Sequence, residues 1–301
     1  MTPRTYSRLT RSALWALTVS VVRGGAVRLT GSGLGCSDWP RCEEDRFVAD
    51  LEYHALVEFV NRLLTGAVSV AVILAVVGSL RRRPRRPDLV WWSFGLVAGV
   101  VAQIVLGGVL VLTDLDPRFT MGHFLLSMVL IWNAVVLDHR ARDLDPTIAG
   151  GLVPRSQQMM IRGISVVGAA LLVTGTIVTG AGPHSGDVDA ERLPFLVREV
   201  TRIHSFVAIG LLVLVVMTWR MLGSSFASGA VRGRAGRVAL LLVAQGTVGY
   251  VQYFTGVPVV LVGIHLLLAS LTWIEIVGLH LAAVAPSAAE RAVDDRALVG
   301  S

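Results

Sequence analysis

Eight long apolar segments limit what this chain can fold into. They lie at about 11–30, 57–80, 89–113, 120–138, 161–181, 199–220, 238–256 and 259–283. Several are long enough, at 18 or more uncharged residues, for a helix to cross the ~30 Å hydrocarbon core of a bilayer. With 53% hydrophobic and 16% charged residues, the 301-residue chain is too apolar for an ordinary soluble domain. The sequence therefore predicts an all-α polytopic membrane protein with eight transmembrane helices.

The arginines predict the topology of these helices. All 27 basic residues are arginine, and 18 of them fall on the side of the chain termini if every segment crosses the bilayer. The positive-inside rule then predicts that both termini lie in the cytoplasm. We expect the protein in the plasma membrane. The net charge of +6 thus reflects topology and contact with anionic lipid. Nucleic-acid binding is a poor interpretation, because the arginines lie in short loops without a soluble domain.

A polar pattern that occurs twice predicts an internal repeat. The interval from glutamine to histidine is 20 residues in both copies, Gln103 to His123 and Gln245 to His265, and a glycine follows each glutamine four residues later. The second half repeats the first with an offset of 142–143 residues. Each copy contains four spans, an even number, so both copies have the same orientation in the membrane. We expect two pseudo-symmetric four-helix bundles, residues 1–145 and 146–285, and a cytoplasmic tail at 286–301.

Three histidines lie at matched positions of these repeats. His123, His204 and His265 all fall at the outer ends of even-numbered segments. Imidazoles on two facing helices of a bundle can supply both axial ligands of a heme iron. We therefore predict a heme between helices six and eight, bound by His204 and His265 near the extracytoplasmic side. The spacing is wrong for a compact catalytic zinc site, which needs closely spaced ligands.

The first half differs from the second at this position. Asn61 stands opposite His123, and Glu58 lies one helical turn before Asn61. Asparagine is a poor iron ligand, so a heme bound there is expected to be five-coordinate or loosely ligated. Glu58 can then serve as a general base or stabilise a cationic intermediate. His54 is interpreted as an exposed interfacial residue, with a ligand role as the alternative. Glu275 is interpreted as the partner of an inner-edge arginine, with a role in a proton path as the alternative.

Four arginines are candidate charge partners of a carboxylate-bearing ligand such as the heme propionates. They are Arg23, Arg28, Arg62 and Arg202. Arg23 and Arg28 lie inside the outer membrane interface, where an arginine is costly and usually has an anionic partner. The alternatives for these two are snorkelling to lipid phosphate and pairing with Glu58.

The two cysteines, Cys36 and Cys42, share the first extracytoplasmic loop. That compartment is oxidising, which favours a disulfide that closes a short loop. A redox-active dithiol that accepts electrons is the alternative. Zinc binding by two thiols without a nearby histidine pair is disfavoured.

Taken together, these residues resemble the heme A synthase family, membrane enzymes that oxidise the C8 methyl of heme O to the formyl group of heme A. The phrases that carry the resemblance are Gly25-Ala-Val-Arg28-Leu-Thr30-x-Ser32-Gly33-Leu34 with Asp38-Trp39-Pro40, then Glu58-x-x-Asn61-Arg62, Gly122-His123, His204 and His265. The Cys36–Cys42 loop matches the paired cysteines of the family. The resemblance extends over nearly all of the apolar region, and its first phrase is the most distinctive.

The resemblance implies an eight-helix pseudo-symmetric fold with two different heme sites. His204 and His265 would hold a heme b cofactor, while His123, Glu58 and the position of Asn61 would form the site for the substrate, heme O. Asn61 departs from the family pattern, which has a second histidine ligand there. The implied partners are the bilayer, a heme O synthase and an electron acceptor that the sequence does not identify, and a homo-oligomer is compatible with the pattern.

Two other classes compete with this enzyme. A membrane b-type cytochrome would transfer electrons without chemistry on the porphyrin, but it would more naturally keep two bis-histidine sites. A transporter built from repeats would need a broken helix or a polar cluster at the membrane midplane, and the pattern contains neither.

Overall fold

The computed structural model describes residues 1–45, 47–142, 153–223 and 226–284, without the side chains of 226–228. Over these ranges the chain forms helices and no strand. The helices are α1 (Pro3–Leu29), α2 (Tyr53–Arg81), α3 (Pro87–Leu112), α4 (Pro117–Ala141), α5 (Arg155–Ala181), α6 (Val197–Met221), α7 (Phe226–Phe254) and α8 (Val259–Val284). The all-helical fold is as predicted, with one helix for each apolar segment. The predicted boundary at 145/146 and the tail at 286–301 lie outside the described residues.

Most helices begin earlier than the apolar segments that predicted them. α7 begins at Phe226 rather than at about 238, and α1 begins at Pro3 rather than at about 11. The added turns carry arginines, which have good helix propensity and can direct their charge to water from a helix end. Hydrophobicity thus marks the part of each helix that suits hydrocarbon, while the helix itself continues past it. At the start of α1, Thr2 caps the helix by accepting a hydrogen bond from the Thr5 N–H at 3.3 Å.

Six helices of the described chain are long and apolar enough to cross a membrane: α2, α3, α4, α5, α6 and α8. α1 and α7 are of similar length but carry arginines over several turns. Large apolar side chains remain exposed along the helices, as in Trp91 at 77% and Phe206 at 74%. Apolar surface of this extent on a helical protein suits lipid rather than water. The protein is a multi-pass membrane protein.

Two groups of four helices form the core. α1 packs on α2, α2 on α3, α3 on α4 and α4 on α1, and the same cycle joins α5 to α8. Each cycle surrounds its own buried apolar cluster. The two groups meet where α1, α4, α5 and α8 come together. Trp273 of α8 packs against both clusters, and its indole N–H donates to the Met128 carbonyl of α4 at 2.9 Å.

Candidate functional site

Two of the predicted histidines lie on diagonally opposed helices of the second group. His204 lies on α6 and His265 on α8, two helices that stand diagonally in the cycle, since neither packs directly on the other in the described chain. The two rings are close enough to interact electrostatically. Each ring rests against a glycine of a neighbouring helix. A Cβ placed on Gly175 of α5 would lie 3.1 Å from Cε1 of His204, and one on Gly249 of α7 would lie 3.1 Å from Cε1 of His265.

The Thr174 hydroxyl is the partner of His204 Nδ1. Its oxygen lies 3.0 Å from the Leu171 carbonyl and 3.0 Å from His204 Nδ1. In the tautomer in which the hydroxyl donates to the carbonyl, its oxygen accepts the Nδ1–H of the ring, and Nε2 keeps its lone pair. A metal-binding imidazole requires that state. His265 lacks this support, since its buried Nδ1 has no hydrogen-bond partner among the described residues.

The third histidine, His123, lies on α4 in the first group of helices. Its backbone carbonyl accepts hydrogen bonds from Gln103 Nε2 at 3.1 Å and from the Ser127 hydroxyl at 3.0 Å. A Cβ on Gly107 of α3 would lie 3.5 Å from Cε1 of His123, an ordinary contact distance. Its Nδ1 is buried and has no partner in the described chain. Hydrogen bonds to the backbone carbonyl thus hold His123 in position, while its ring Nδ1 has no hydrogen-bond partner among the described residues.

Asn61 lies on α2, diagonally across the same group from α4. Its backbone carbonyl accepts a hydrogen bond from Arg23 Nη1 at 3.0 Å, and Arg23 also donates to the Ser20 hydroxyl at 3.1 Å. Arg23 and Asn61 both line an open, mostly apolar groove of about 350 Å³ between α1 and α2. Arg23 and Asn61 can therefore be reached from the gap between α1 and α2.

Glu58, the predicted catalytic residue, is 5% exposed, and both of its carboxylate oxygens accept hydrogen bonds. Its carboxylate accepts hydrogen bonds from Arg62 and from the backbone N–H of Cys36. The predicted disulfide between Cys36 and Cys42 is confirmed. Arg62, which the sequence pattern assigned to propionates, is bonded here to Glu58 and to the cysteine loop.

The remaining predicted residues have separate environments. Arg28 donates to the Thr179 carbonyl of α5 at 3.0 Å, and its buried Nε has no partner in the described chain. Neither Arg23 nor Arg28 pairs with Glu58 in the described structure. Arg202 forms an exposed ion pair with Glu199 at 3.1 Å.

Two side chains that had alternative interpretations have clear partners. Glu275 pairs with Arg234 at 3.3 Å and with Arg237 at 3.1 Å, as predicted for an inner-edge carboxylate. His54 is exposed, and its Nδ1 lies 2.9 Å from the Ser32 hydroxyl. Within the described ranges, no group of three or more His, Cys, Asp or Glu side chains is close enough to hold a metal ion.

Sequence reasoning missed the residues that support the histidines. Thr174 and Gly175 form the support of His204, and neither was singled out. A signal was present for two of the glycines: Gly107 and Gly249 each precede their histidine by 16 residues. Constant spacing between a glycine and a bulky polar residue on the next helix can indicate that one packs on the other. No such spacing points to Gly175, which precedes His204 by a different interval.

The fold and the site define a multi-pass helical membrane protein with histidines directed into two helix groups. The sequence model of one family, COX15-CtaA, described as cytochrome oxidase assembly protein, matches residues 8–277. That match extends over well more than half of the chain. The chain belongs to the COX15-CtaA family.

Curated relatives agree with this assignment at modest identity. The chain is similar to the heme A synthase of Geobacillus thermodenitrificans, at 28% identity over 43% of this chain and 42% of that protein. It is 31% identical to the heme A synthase of Symbiobacterium thermophilum over 54% of this chain and 56% of the relative. The heme A synthase of Exiguobacterium sibiricum is 21% identical over 56% and 57%, respectively. The chain thus spans about half the length of the curated relatives it matches.

Proposed function

We propose that this protein is a heme A synthase, which oxidises the C8 methyl of heme O to a formyl group by successive hydroxylations. The observation that carries the proposal is a difference between two similar helix groups. One group holds two facing histidines, His204 and His265. The other holds a single histidine, His123, with Asn61 and the carboxylate of Glu58 at the opposite helix. A resident cofactor suits the first arrangement, and a substrate that must enter and leave suits the second.

The proposed topology has eight spans in two pseudo-symmetric bundles. Support comes from the packing, because exchanging α1 with α5, α2 with α6, α3 with α7 and α4 with α8 reproduces the same set of packed helix pairs. The distribution of arginine supports a topology with both termini in the cytoplasm and the histidine sites toward the outer face of the plasma membrane. Residues 1–145 would form the substrate half and 146–285 the cofactor half.

The residues of the second half fit a bis-histidine heme b. Thr174 keeps the Nε2 lone pair of His204 available, and neutral imidazole nitrogens are the axial ligands of such hemes. Gly175 and Gly249 allow both rings to approach the helix backbone closely. The buried, unpartnered Nδ1 of His265 is consistent with a ring whose final orientation depends on its ligand. Arg202, at the outer end of α6, is a candidate charge partner for a propionate.

The residues of the first half fit a substrate heme that is held less tightly. His123 is the single imidazole there, and Asn61 provides an amide in place of a second ligand. Arg23 and Arg28 are candidate partners for propionates. The buried Nε of Arg28 has no hydrogen-bond partner in the described chain, which supports this role for Arg28. The groove between α1 and α2 gives the site a lateral opening.

When bound, the hemes supply the redox chemistry, and heme b is proposed to carry electrons out of the reaction. The part of this chain is to bind, orient and balance charge. Glu58 is the proposed catalytic residue, which accepts a proton or stabilises positive charge beside the reacting methyl. Its oxygens are bonded to Arg62 and Cys36 in this structure, so accepting a proton requires exchanging one of these partners.

The proposal is tested by expressing the chain in cells that make heme O but not heme A. Extracted pigments are then identified by mass as heme O, the alcohol or the aldehyde. Accumulation of the aldehyde with wild-type protein, and its loss with Glu58→Ala, is the expected result. Unchanged heme O beside a normal b-type spectrum would favour an electron-transfer cytochrome instead. The same cells, supplied with different quinones or other acceptors, would identify the class of electron acceptor.

A further inference from the structure

Glu58 and Arg62 connect α2 to the loop closed by the Cys36–Cys42 disulfide, here called the disulfide loop (residues 35–42). Arg62 Nε and Nη2 donate to Glu58 Oε1 at 3.1 and 2.5 Å. Glu58 Oε2 accepts the Cys36 N–H at 2.7 Å. Arg62 Nη1 donates to the carbonyls of Asp38 at 3.0 Å and Arg41 at 2.8 Å. Every hydrogen bond recorded for the two side chains therefore joins them to each other or to the disulfide loop.

The disulfide loop also rests on the helices by close packing. Cys36 and Cys42 are 0% and 1% exposed. A Cβ on Gly35 would collide with the His54 carbonyl at the start of α2. A Cβ on Gly108 of α3 would lie 2.7 Å from the Trp39 ring. The loop thus lies across the outer ends of α2 and α3, in the helix group proposed to bind the substrate.

Glu58 and Arg62 make the strongest contact between α2 and the disulfide loop, because both side chains are charged. Hydrogen bonds with an ionised partner are roughly twice as strong as neutral ones. A carboxylate as buried as that of Glu58 has lost most of its water, so it depends on its protein partners. The planar fork of arginine can bind a carboxylate and backbone carbonyls at once, which lysine cannot reproduce. Arg62, with four recorded bonds, is committed to this arrangement rather than to a ligand.

We propose that Arg62 is a positioning residue that holds Glu58 against the disulfide loop. The closed loop fixes Oε2 through the Cys36 N–H, and Arg62 fixes Oε1, so loop and carboxylate share one position. The role of Glu58 in this inference rests on the proposed function, whereas the attachment of the loop does not. Opening the loop would release the carboxylate, and removing Arg62 would loosen the loop.

The attachment is tested through the reactivity of the disulfide, which needs no heme. Oxidised protein in membranes is treated with graded dithiothreitol, a dithiol that gives two electrons and two protons to the disulfide and becomes a cyclic disulfide itself. Free thiols are then counted with a maleimide reagent. Arg62→Gln and Glu58→Gln should each be reduced about tenfold faster than wild type, a factor equivalent to about 1.4 kcal/mol.

A double-variant cycle separates a shared contact from general loosening. If the two side chains act as one unit, the Glu58→Gln/Arg62→Gln protein is reduced no faster than either single variant. Arg41→Gln is the matched control, since it removes an arginine side chain from the same loop but keeps the backbone carbonyl that Arg62 binds. It should react at the wild-type rate. Reduction of Arg62→Gln at the wild-type rate, or additive effects in the cycle, would overturn the inference.

The positioning role is tested by the kinetics of heme A formation. Arg62→Gln should lower kcat and leave the KM for heme O unchanged, because the variant loses the placement of Glu58 and not a contact with substrate. Arg62→Lys should recover part of kcat, because an ammonium group can still pair with Glu58. A raised KM with unchanged kcat would mean that Arg62 binds the substrate, and would sink this role. If wild-type protein makes no heme A, the proposed function fails while the disulfide result still decides the attachment.

Discussion

The two helix groups of this protein differ most where they correspond most closely. In the second group His204 faces His265, whereas Asn61 takes the matching place opposite His123 in the first. One turn earlier, Glu58 is bonded to Arg62 and the disulfide loop, while its counterpart Thr201 has a buried hydroxyl without a partner in the described chain. One scaffold thus presents two histidines in one half and a histidine with a fixed carboxylate in the other.

This difference teaches how a repeated scaffold can acquire two roles. Both halves place a histidine against a glycine of the preceding helix, with His123 on Gly107 and His265 on Gly249. Under the proposed function, this shared geometry would set where a heme fits between the helices, and the residues that differ would decide whether the heme stays or reacts. A second ligand would hold a heme in place, and its replacement would leave room for exchange.

The largest effect should come from removing a ligand in the second half. His265→Ala would leave the proposed heme b with one axial ligand, so the low-spin b-type spectrum should be lost from purified protein. His280→Ala is the control, because His280 lies near the C-terminal end of the same helix and its Nδ1 contacts Ser165 at 3.4 Å. Optical and paramagnetic resonance spectra of both proteins provide the measurement. An unchanged spectrum in His265→Ala would refute the assignment of the cofactor site.

Adding one carbon to the glycine supports should affect the halves unequally. Gly249→Ala places a Cβ 3.1 Å from the His265 ring, so the ring must move, while Gly107→Ala places one 3.5 Å from His123. Overpacking of a tight site costs about 1–3 kcal/mol. Gly249→Ala should therefore lower heme b occupancy several-fold, whereas Gly107→Ala should leave the affinity for added heme O unchanged. Heme-to-protein ratios after purification measure the first effect and titration with heme O the second, and losses of equal size would mean that the supports do not differ.

Restoring the missing ligand should make the two halves more alike. Asn61→His places an imidazole opposite His123 and gives the substrate heme a second axial ligand. Added heme O should then bind about tenfold more tightly, as expected for about 1.4 kcal/mol of additional interaction. A second low-spin signal should appear during titration with heme O. If neither the affinity nor the spin state changes, Asn61 does not face the substrate iron, and the comparison of the two halves would need another basis.

The sequence was sufficient for the helical architecture but only for part of the site. Hydrophobic length located the eight helices of the described chain, because the bilayer imposes a strong requirement on the length of a span. It placed the start of α7 about a dozen residues late, since helix propensity continues past the apolar part. The disulfide followed from its compartment. The bonding of Arg62 to the disulfide loop was missed, because it depends on how a loop folds back onto α2 and no periodic pattern records that.

The smallest expected effect concerns the contact between the Thr174 hydroxyl and His204 Nδ1, since Nδ1 of His265 has no partner in the described chain. If the Nδ1–H of His204 is donated to Thr174, the ring becomes a stronger donor to the proposed heme iron and favours its oxidised state. Thr174→Val keeps the shape and removes that acceptor, so the midpoint potential of heme b should rise by on the order of tens of mV. Thr174→Ser retains the hydroxyl and should keep the wild-type value in the same spectroelectrochemical titration. An equal shift in both variants would point to altered packing, whereas a shift confined to valine would show that the two axial histidines are unequal because only one has a hydroxyl partner.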